Sequence, residues 1–393
     1  MKVMCYVQHL MGTGHQWRVA AISRALCKLG VDVIYVSGGL PIPGLDPGCE
    51  TFVQLPAVRA DDMHYQTLVD EEGWPVDDGW KSRRRNVLLT AFARCQPDVL
   101  LIETFPFGRG LLRFELLPLL EAAYERRPRP RVVCSVRDVL EAKRRPGRNE
   151  EIVDLVDRYF DLVLVHSDPK FVPFDTTFPL AHQIEHKLRY TGYVKARDAP
   201  KPTSDLGSAE VIVSAGGGAF GEHVLRTAIE ARPFSVLAKA PWRILVGPNL
   251  SPQRFANLQA RADTGLVVER NRTDFPVLLR NCAVSVSQGG YNTMLEVLAA
   301  GARAVIVPYA DEREQEQAVR ARMLALHGLI EVVTDDALTP ARLAQAIDAA
   351  NSAPARQLST IDMSGALTTA RLVKNHFFGD VLLCAAGPHS ITN

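Results

Sequence analysis

Three side chains in the first 140 residues have the chemistry of a proton acceptor and sit beside a turn. His15 lies in the run Gly12-Thr13-Gly14-His15, Glu103 follows the apolar stretch Val99–Ile102, and Asp138 comes just after Val132–Val136. An imidazole titrates near neutral pH, so His15 is a candidate general base, with Glu103 and Asp138 as rivals for the same task. Each also has a plainer reading. A lone histidine often packs at a helix start, and either carboxylate can cap the segment after it.

A second polar group follows residue 280. The run from Ser287 through Gly289, Gly290, Thr293 and Glu296 comes directly after the apolar stretch Ala283–Val286. The carboxylate of Glu296 can accept both hydroxyls of a ribose, and the glycines leave room for a ligand at a helix end. Thr293 and Glu296 also stand at capping-box spacing, which would make Glu296 a structural partner of a helix start. Beyond the next apolar stretch, Glu316 and Gln317 are suited to hydrogen-bond a sugar, whereas Glu312 to Glu314 read as a solvated helix start. Polar residues just past a strand's C-terminal end sit where open α/β sheets bind ligands.

The third feature is Ala215-Gly216-Gly217-Gly218-Ala219, after Val211–Ser214. Glycines between a parallel strand and a helix let backbone N–H groups and the helix dipole approach a diphosphate. Neither glycine turn is a complete G-x-G-x-x-G, and the chain has no G-x-x-x-x-G-K-[ST] loop. ATP or GTP hydrolysis of the P-loop kind is therefore not expected. The chain has no D-x-D carboxylate pair, and His182 and His186, four residues apart, lack a third ligand. No metal site is expected.

The elements that must position these residues alternate. Strand-like runs at Lys2–Gln8, Val31–Val36, Val99–Ile102, Val132–Val136 and Leu162–Val165 are separated mostly by helical stretches. The same pattern returns at Val211–Ser214, Trp242–Val246, Leu266–Val268, Ala283–Val286, Ala304–Val307 and Ile330–Val333. Such alternation is the mark of parallel sheets built from βαβ units. Lys195–Ala209, rich in Pro, Lys, Ser and Asp, reads as the linker. The expectation is an α/β chain with two Rossmann-like domains facing a cleft. Residues 1–197 form one half and 198–365 the other, which the resemblance described below makes the acceptor-binding and donor halves, and 366–393 add a terminal helix and tail.

Composition agrees with a two-domain globular chain. Of 393 residues, 47% are hydrophobic and 23% charged, which excludes extended disorder. The net charge of +1 argues against bulk nucleic-acid binding. Seven scattered cysteines without a C-x-x-C suit a reducing compartment. No apolar run approaches the roughly 18 to 20 residues of a membrane span, and the start is too short for a signal peptide, so a cytoplasmic protein is expected. Basic clusters near Lys81–Arg85, Arg126–Arg131 and Lys143–Arg148 read either as solvated loops or as a surface for an anionic partner such as a membrane. The leucine-rich stretch from Leu111 to Leu120 reads as a core helix.

Taken together, Ser287–Gly301 and Pro308–Gln317 resemble the C-terminal domain of family 28 glycosyltransferases, and Gly12–His15 and Ser214–Ala219 resemble that family's two glycine loops. The resemblance implies a GT-B fold, a nucleotide-diphosphate sugar donor, inversion at the anomeric carbon, and no metal or cofactor beyond that co-substrate. It likens Glu296 to the carboxylate that holds the ribose, Glu316 and Gln317 to the polar pair on the donor sugar, and Gly217, Gly218 and Ala219 to the diphosphate loop. Arg270 and Arg272, just before Asp274, resemble the base-contacting stretch. Gly14, Gly290 and Thr293 complete the expected donor-binding set. A UDP-sugar is the expected donor. The acceptor-side runs Glu103–Arg109 and Ser135–Asp138 do not match those of the family's peptidoglycan enzymes, so the acceptor stays open among small-molecule, lipid-linked and other anionic acceptors. A nucleotide-sugar epimerase or hydrolase, or a non-catalytic nucleotide-sugar-binding protein, would use the same architecture.

Overall fold

The computed structural model describes residues 1–378 apart from 11, 62–66, 141–144, 196–204, 216–220, 311–314 and 355–360. Nine strands belong to the first half: β1 (Lys2–Val7), β2 (Asp32–Ser37), β3 (Thr51–Gln54), β4 (Val58–Ala60), β5 (Leu68–Asp70), β6 (Val99–Glu103), β7 (Arg131–Arg137), β8 (Leu162–His166) and β9 (Leu188–Tyr190). Seven of them form a parallel sheet in the order β3-β2-β1-β6-β7-β8-β9, while β4 and β5 pair as a small antiparallel ribbon. Helices α1 (Gly14–Lys28), α2 (Asp78–Cys95), α3 (Arg113–Glu125) and α4 (Arg148–Tyr159) accompany this sheet.

The second half repeats the plan. Strands β10 (Val211–Ser214), β11 (Trp242–Val246), β12 (Leu266–Arg270), β13 (Val284–Ser287), β14 (Ala304–Ile306) and β15 (Glu331–Val332) make a parallel sheet in the order β12-β11-β10-β13-β14-β15. Its helices are α5 (Glu222–Ala231), α6 (Pro252–Gln259), α7 (Phe275–Asn281), α8 (Tyr291–Ala300), α9 (Glu316–Leu326) and α10 (Pro340–Ser352).

Both faces of each sheet are covered, which is why the central strands read as unbroken apolar runs rather than alternating ones. On β1, Met4 and Tyr6 face a core shared with Leu88 and Phe92 of α2 and Leu116 and Leu120 of α3. Val3, Cys5 and Val7 face the opposite core, where Val19, Ile22 and Leu26 of α1 pack. The leucine-rich stretch is a core helix as expected, with Leu116, Leu119 and Leu120 buried in α3.

The last helix, α11 (Gly365–Phe378), crosses back. Its Ala370 and Val373 lie in the core of the first domain with Val3 and Val19, and Lys374 donates to the Leu29 carbonyl at the end of α1. The outgoing and returning chains touch on the way. Tyr193 N–H donates to Asp362, Gly365 N–H donates to Tyr193, and Val194 bridges to Ser364.

One expectation needs correction. The basic cluster at 81–85 is not all surface, because Arg84 is fully buried and bonds Glu115 from its Nε at 2.7 Å. Arg145 and Arg148 are both paired with Glu151, with Arg145 exposed at the surface. The expected linker and tail fall largely outside the described residues. Among the described residues no helix is long and apolar enough to cross a membrane.

Candidate active site

In an open parallel sheet, ligands bind beyond the strands' C-terminal ends where the strand order reverses. The first sheet reverses between β1 and β6, the second between β10 and β13. The chain after β1 carries Gly14 and His15, and β6 ends on Glu103. The chain after β13 carries Gly289, Gly290 and Tyr291. Both reversal points therefore hold residues singled out by type and spacing.

At the first point, His15 Nδ1 lies 2.6 Å from Glu103 Oε1. The same oxygen accepts from Thr104 Oγ1 at 2.5 Å and from Arg18 Nη2. The other oxygen, Oε2, makes no hydrogen bond and has Arg109 Nη2 at 3.8 Å. Burial opposes ionisation of Glu103, but His15, Arg18 and Arg109 around it hold its carboxyl well below the usual range. It is an anion that accepts, so Nδ1 of His15 carries the proton and Nε2 the lone pair. Burial pushes the His15 pKa down to about 3 against the pull of Glu103, keeping the ring neutral. His9 nearby is likewise pushed down to about 4 by burial and Arg109.

The two candidate carboxylate bases take other roles. Glu103 is wholly buried and holds His15 in place. Asp138 is wholly buried as well. Its Oδ2 accepts from Arg320 Nε at 2.7 Å, and its Oδ1 from Arg320 Nη2 at 2.9 Å and from the Val139 N–H. Asp138 has both oxygens bonded, whereas the one unbonded oxygen of Glu103, Oε2, is buried beside Arg109.

Arg320 belongs to α9, so that pair ties one domain to the other. Arg320 Nη2 also bonds Glu316 Oε1 at 2.6 Å, and Arg137 bonds Glu316 from the first domain. Glu316, expected on the donor sugar, is thus held by two arginines instead. Gln317 accepts from the Tyr309 N–H at 3.2 Å. Arg320 and Arg18 lie on the ring of Tyr291, at 5.1 and 5.5 Å from its centroid. A Cβ on Gly14 would come 2.9 Å from Asn292 Nδ2, so glycine there admits the second domain.

Helix α8 starts at Tyr291 with Gly290 as its N-cap and no side chain capping it. Thr293 is therefore inside the helix and the capping-box reading fails. Glu296 lies a turn further along, half-buried. A Cβ on Gly290 would meet nothing within 4 Å, so the helix start is open. Arg270 donates to the Gly247 and Leu250 carbonyls and stacks 4.1 Å from the Phe255 centroid, while Arg272 pairs with Asp274. Both guanidiniums are engaged within the protein. Gly217, Gly218 and Ala219 lie outside the described residues. His182 and His186 lie on a 3₁₀ turn, Ala181–Lys187, whose threefold repeat takes them off a common face. Among the described residues no three His, Cys, Asp or Glu cluster at ligand spacing.

Arg18, Arg109, Arg137, Tyr291 and Arg320 escaped the sequence reading. Two signals were available: Arg18 stands three residues after His15 at a helix start, and Arg320 four residues after Glu316.

Residues 239–376 match the glycosyltransferase family 28 C-terminal domain. The match takes in the whole of 287–317. Structural neighbours extend over both halves. The calicheamicin glycosyltransferase CalG4 superposes with a TM-score of 0.64 at 17% identity, over 98% of this chain and 99% of that one. MurG of Acinetobacter baumannii does so with 0.62 at 16%, over 95% and 99%. The chain has the GT-B fold, and its residues 239–376 carry the family 28 match. Among curated relatives is the UDP-N-acetylglucosamine–N-acetylmuramyl-(pentapeptide) pyrophosphoryl-undecaprenol N-acetylglucosamine transferase of Rhodopseudomonas palustris, 28% identical over 195 residues, 48% of this chain and 50% of the relative. The enzyme of the same name from Brucella anthropi is 34% identical over 83 residues, 21% of this chain and 22% of the relative. The chain thus covers half or less of these relatives' length.

Proposed function

We propose that this protein is an inverting, metal-independent glycosyltransferase that moves a hexosyl group from a UDP-sugar to an acceptor hydroxyl. The observation that carries the reading is the His15–Glu103 pair at 2.6 Å, next to Tyr291 and Asn292 of the segment that matches family 28. The acceptor oxygen attacks the anomeric carbon and the bond from that carbon to the diphosphate breaks. His15 Nε2 takes the acceptor's proton, and Glu103 stabilises the imidazolium that forms. A single displacement inverts the centre.

The leaving diphosphate needs positive charge. The uncapped N-terminus of α8 supplies orphan N–H groups and the positive end of a dipole, with Gly290 leaving space in front of it. Glu296 is the residue we assign to the ribose. Metal independence is supported by the state of the cleft carboxylates: Glu103, Asp138 and Glu316 are each held by arginine. The names of the curated relatives favour a nucleotide sugar with a lipid-linked acceptor, and a cytoplasmic site with peripheral membrane contact goes with that reading.

A thermal-shift screen against UDP, GDP, ADP, dTDP and their sugar conjugates tests it. Stabilisation by UDP and UDP-sugars, lost in Glu296→Ala and insensitive to chelator, is expected. Free sugar released without acceptor would favour a hydrolase, and an epimerised nucleotide sugar an epimerase. No shift with any nucleotide would sink the donor assignment.

A further inference from the structure

The second domain reaches the first domain's base through one aromatic ring. Tyr291 is buried, with Arg18 of the first domain and Arg320 of the second both on its ring. Its hydroxyl makes no hydrogen bond although it is buried. The position therefore uses the ring, whose electron-rich face attracts a guanidinium, and not the phenol oxygen.

Arg18 has two places to put its Nη2 protons. It donates to Glu103 Oε1, and it lies 3.2 Å from His15 Nδ1. These contacts have opposite consequences for a neutral imidazole. Glu103 can only accept, so it demands a proton on Nδ1 and leaves the lone pair on Nε2. A guanidinium can only donate, so a bond from Arg18 to Nδ1 demands the lone pair there and moves the proton to Nε2. The second tautomer has no basic nitrogen facing away from Glu103. At 2.6 Å against 3.2 Å the first wins, provided Arg18 stays against the carboxylate. The Nε of Arg18 is buried without a hydrogen bond, so no polar group restrains that side of the guanidinium. The ring of Tyr291 does.

We propose that Tyr291 is a positioning residue that fixes the His15 tautomer by holding Arg18 against Glu103 when the domains meet. The inference rests on His15 being the base. It makes the base depend on closure: with the cleft open, Arg18 loses the ring and competes for Nδ1. Transfer to water before both domains are in place is suppressed accordingly.

The test reads the tautomer itself. The full chain, with ¹⁵N-labelled histidine, is examined by long-range ¹H–¹⁵N NMR at pH 7, with His15 assigned through His15→Gln. Wild type and Tyr291→Phe should carry the proton on Nδ1, because phenylalanine keeps the ring. Tyr291→Leu should populate both tautomers, and Arg18→Met/Tyr291→Leu should return to Nδ1 alone, because the competing donor is gone. A wild-type tautomer in a folded Tyr291→Leu overturns the proposal. If Tyr291→Leu does not fold, Arg18→Met decides: mixed tautomers in that variant mean that Arg18 is not the competitor. None of these readouts needs a nucleotide sugar, so the tautomer result stands or falls separately from the thermal-shift result.

Discussion

Asp138 and Arg320 are 182 residues apart in sequence, wholly buried, and joined by two hydrogen bonds of 2.7 and 2.9 Å across the domain boundary. Breaking a buried pair by removing one partner costs about 3–5 kcal/mol, because a charge is left uncompensated. The two ends are not equivalent. In Asp138→Asn the guanidinium still has Glu316 at 2.6 Å, so a loss near the lower figure, about 3 kcal/mol, is expected. In Arg320→Met, Asp138 keeps only the Val139 N–H, so the loss should approach about 5 kcal/mol. The double variant should lose less than the sum by about 2–3 kcal/mol, since the second change removes a charge already stranded. Urea unfolding of the four proteins measures this. Because the pair joins two domains, each single variant should also spread unfolding into two steps. Additivity within about 0.5 kcal/mol would refute the reasoning, since it would mean that the two side chains do not sense each other.

Glu296→Ala should weaken nucleotide-sugar binding about ten- to a hundredfold, the worth of a charge-assisted bond. Its thermal transition should hold, because the cap of α8 is Gly290; isothermal titration and melting check the two halves. His15→Gln should lower turnover about 10²–10⁴-fold at unchanged donor affinity, and a matching loss of affinity would remove His15 from the base role. Acid should destabilise the protein above the carboxylate range. Burial lowers His9 to about 4 and His15 and His166 to about 3, so below about 6.5 the unfolded chain binds protons that the folded one does not. Stability is then fully present above that value and falls as pH drops. Each histidine should cost about 2 kcal/mol by pH 5, and His166→Gln should remove about a third of the change in urea midpoint.

The parts legible in sequence are those whose signal is local. β10 and β11 begin and end where their apolar runs do, because both faces of those strands are covered and most of their residues, Ser214 and Arg243 excepted, are apolar. β3 was missed for the opposite reason: Thr51 to Gln54 form an edge strand, largely exposed, with no burial to write a pattern. At the site, His15 and Glu103 were each found, since a polar residue after an apolar run is visible. Their relation was not, because 88 residues separate them and only the β1–β6 pairing brings them together. Asp138 looked like an available carboxylate for the same reason. Its partner lies in the other domain, and nothing near residue 138 announces a guanidinium arriving from residue 320.

The return of α11 to the first domain has a consequence for assembly. The second domain is in effect an insertion, bracketed by Tyr193–Val194 on the way out and Asp362–Gly365 on the way back. On the ribosome, the first domain's core waits for Ala370 and Val373 until more than 170 intervening residues have been made. The domain synthesised first is thus completed last, and a chain halted before residue 365 leaves an apolar face of α1 uncovered. Two adjacent crossings also act as a two-point tether. They favour rotation of one domain against the other about the line joining them over sliding or separation.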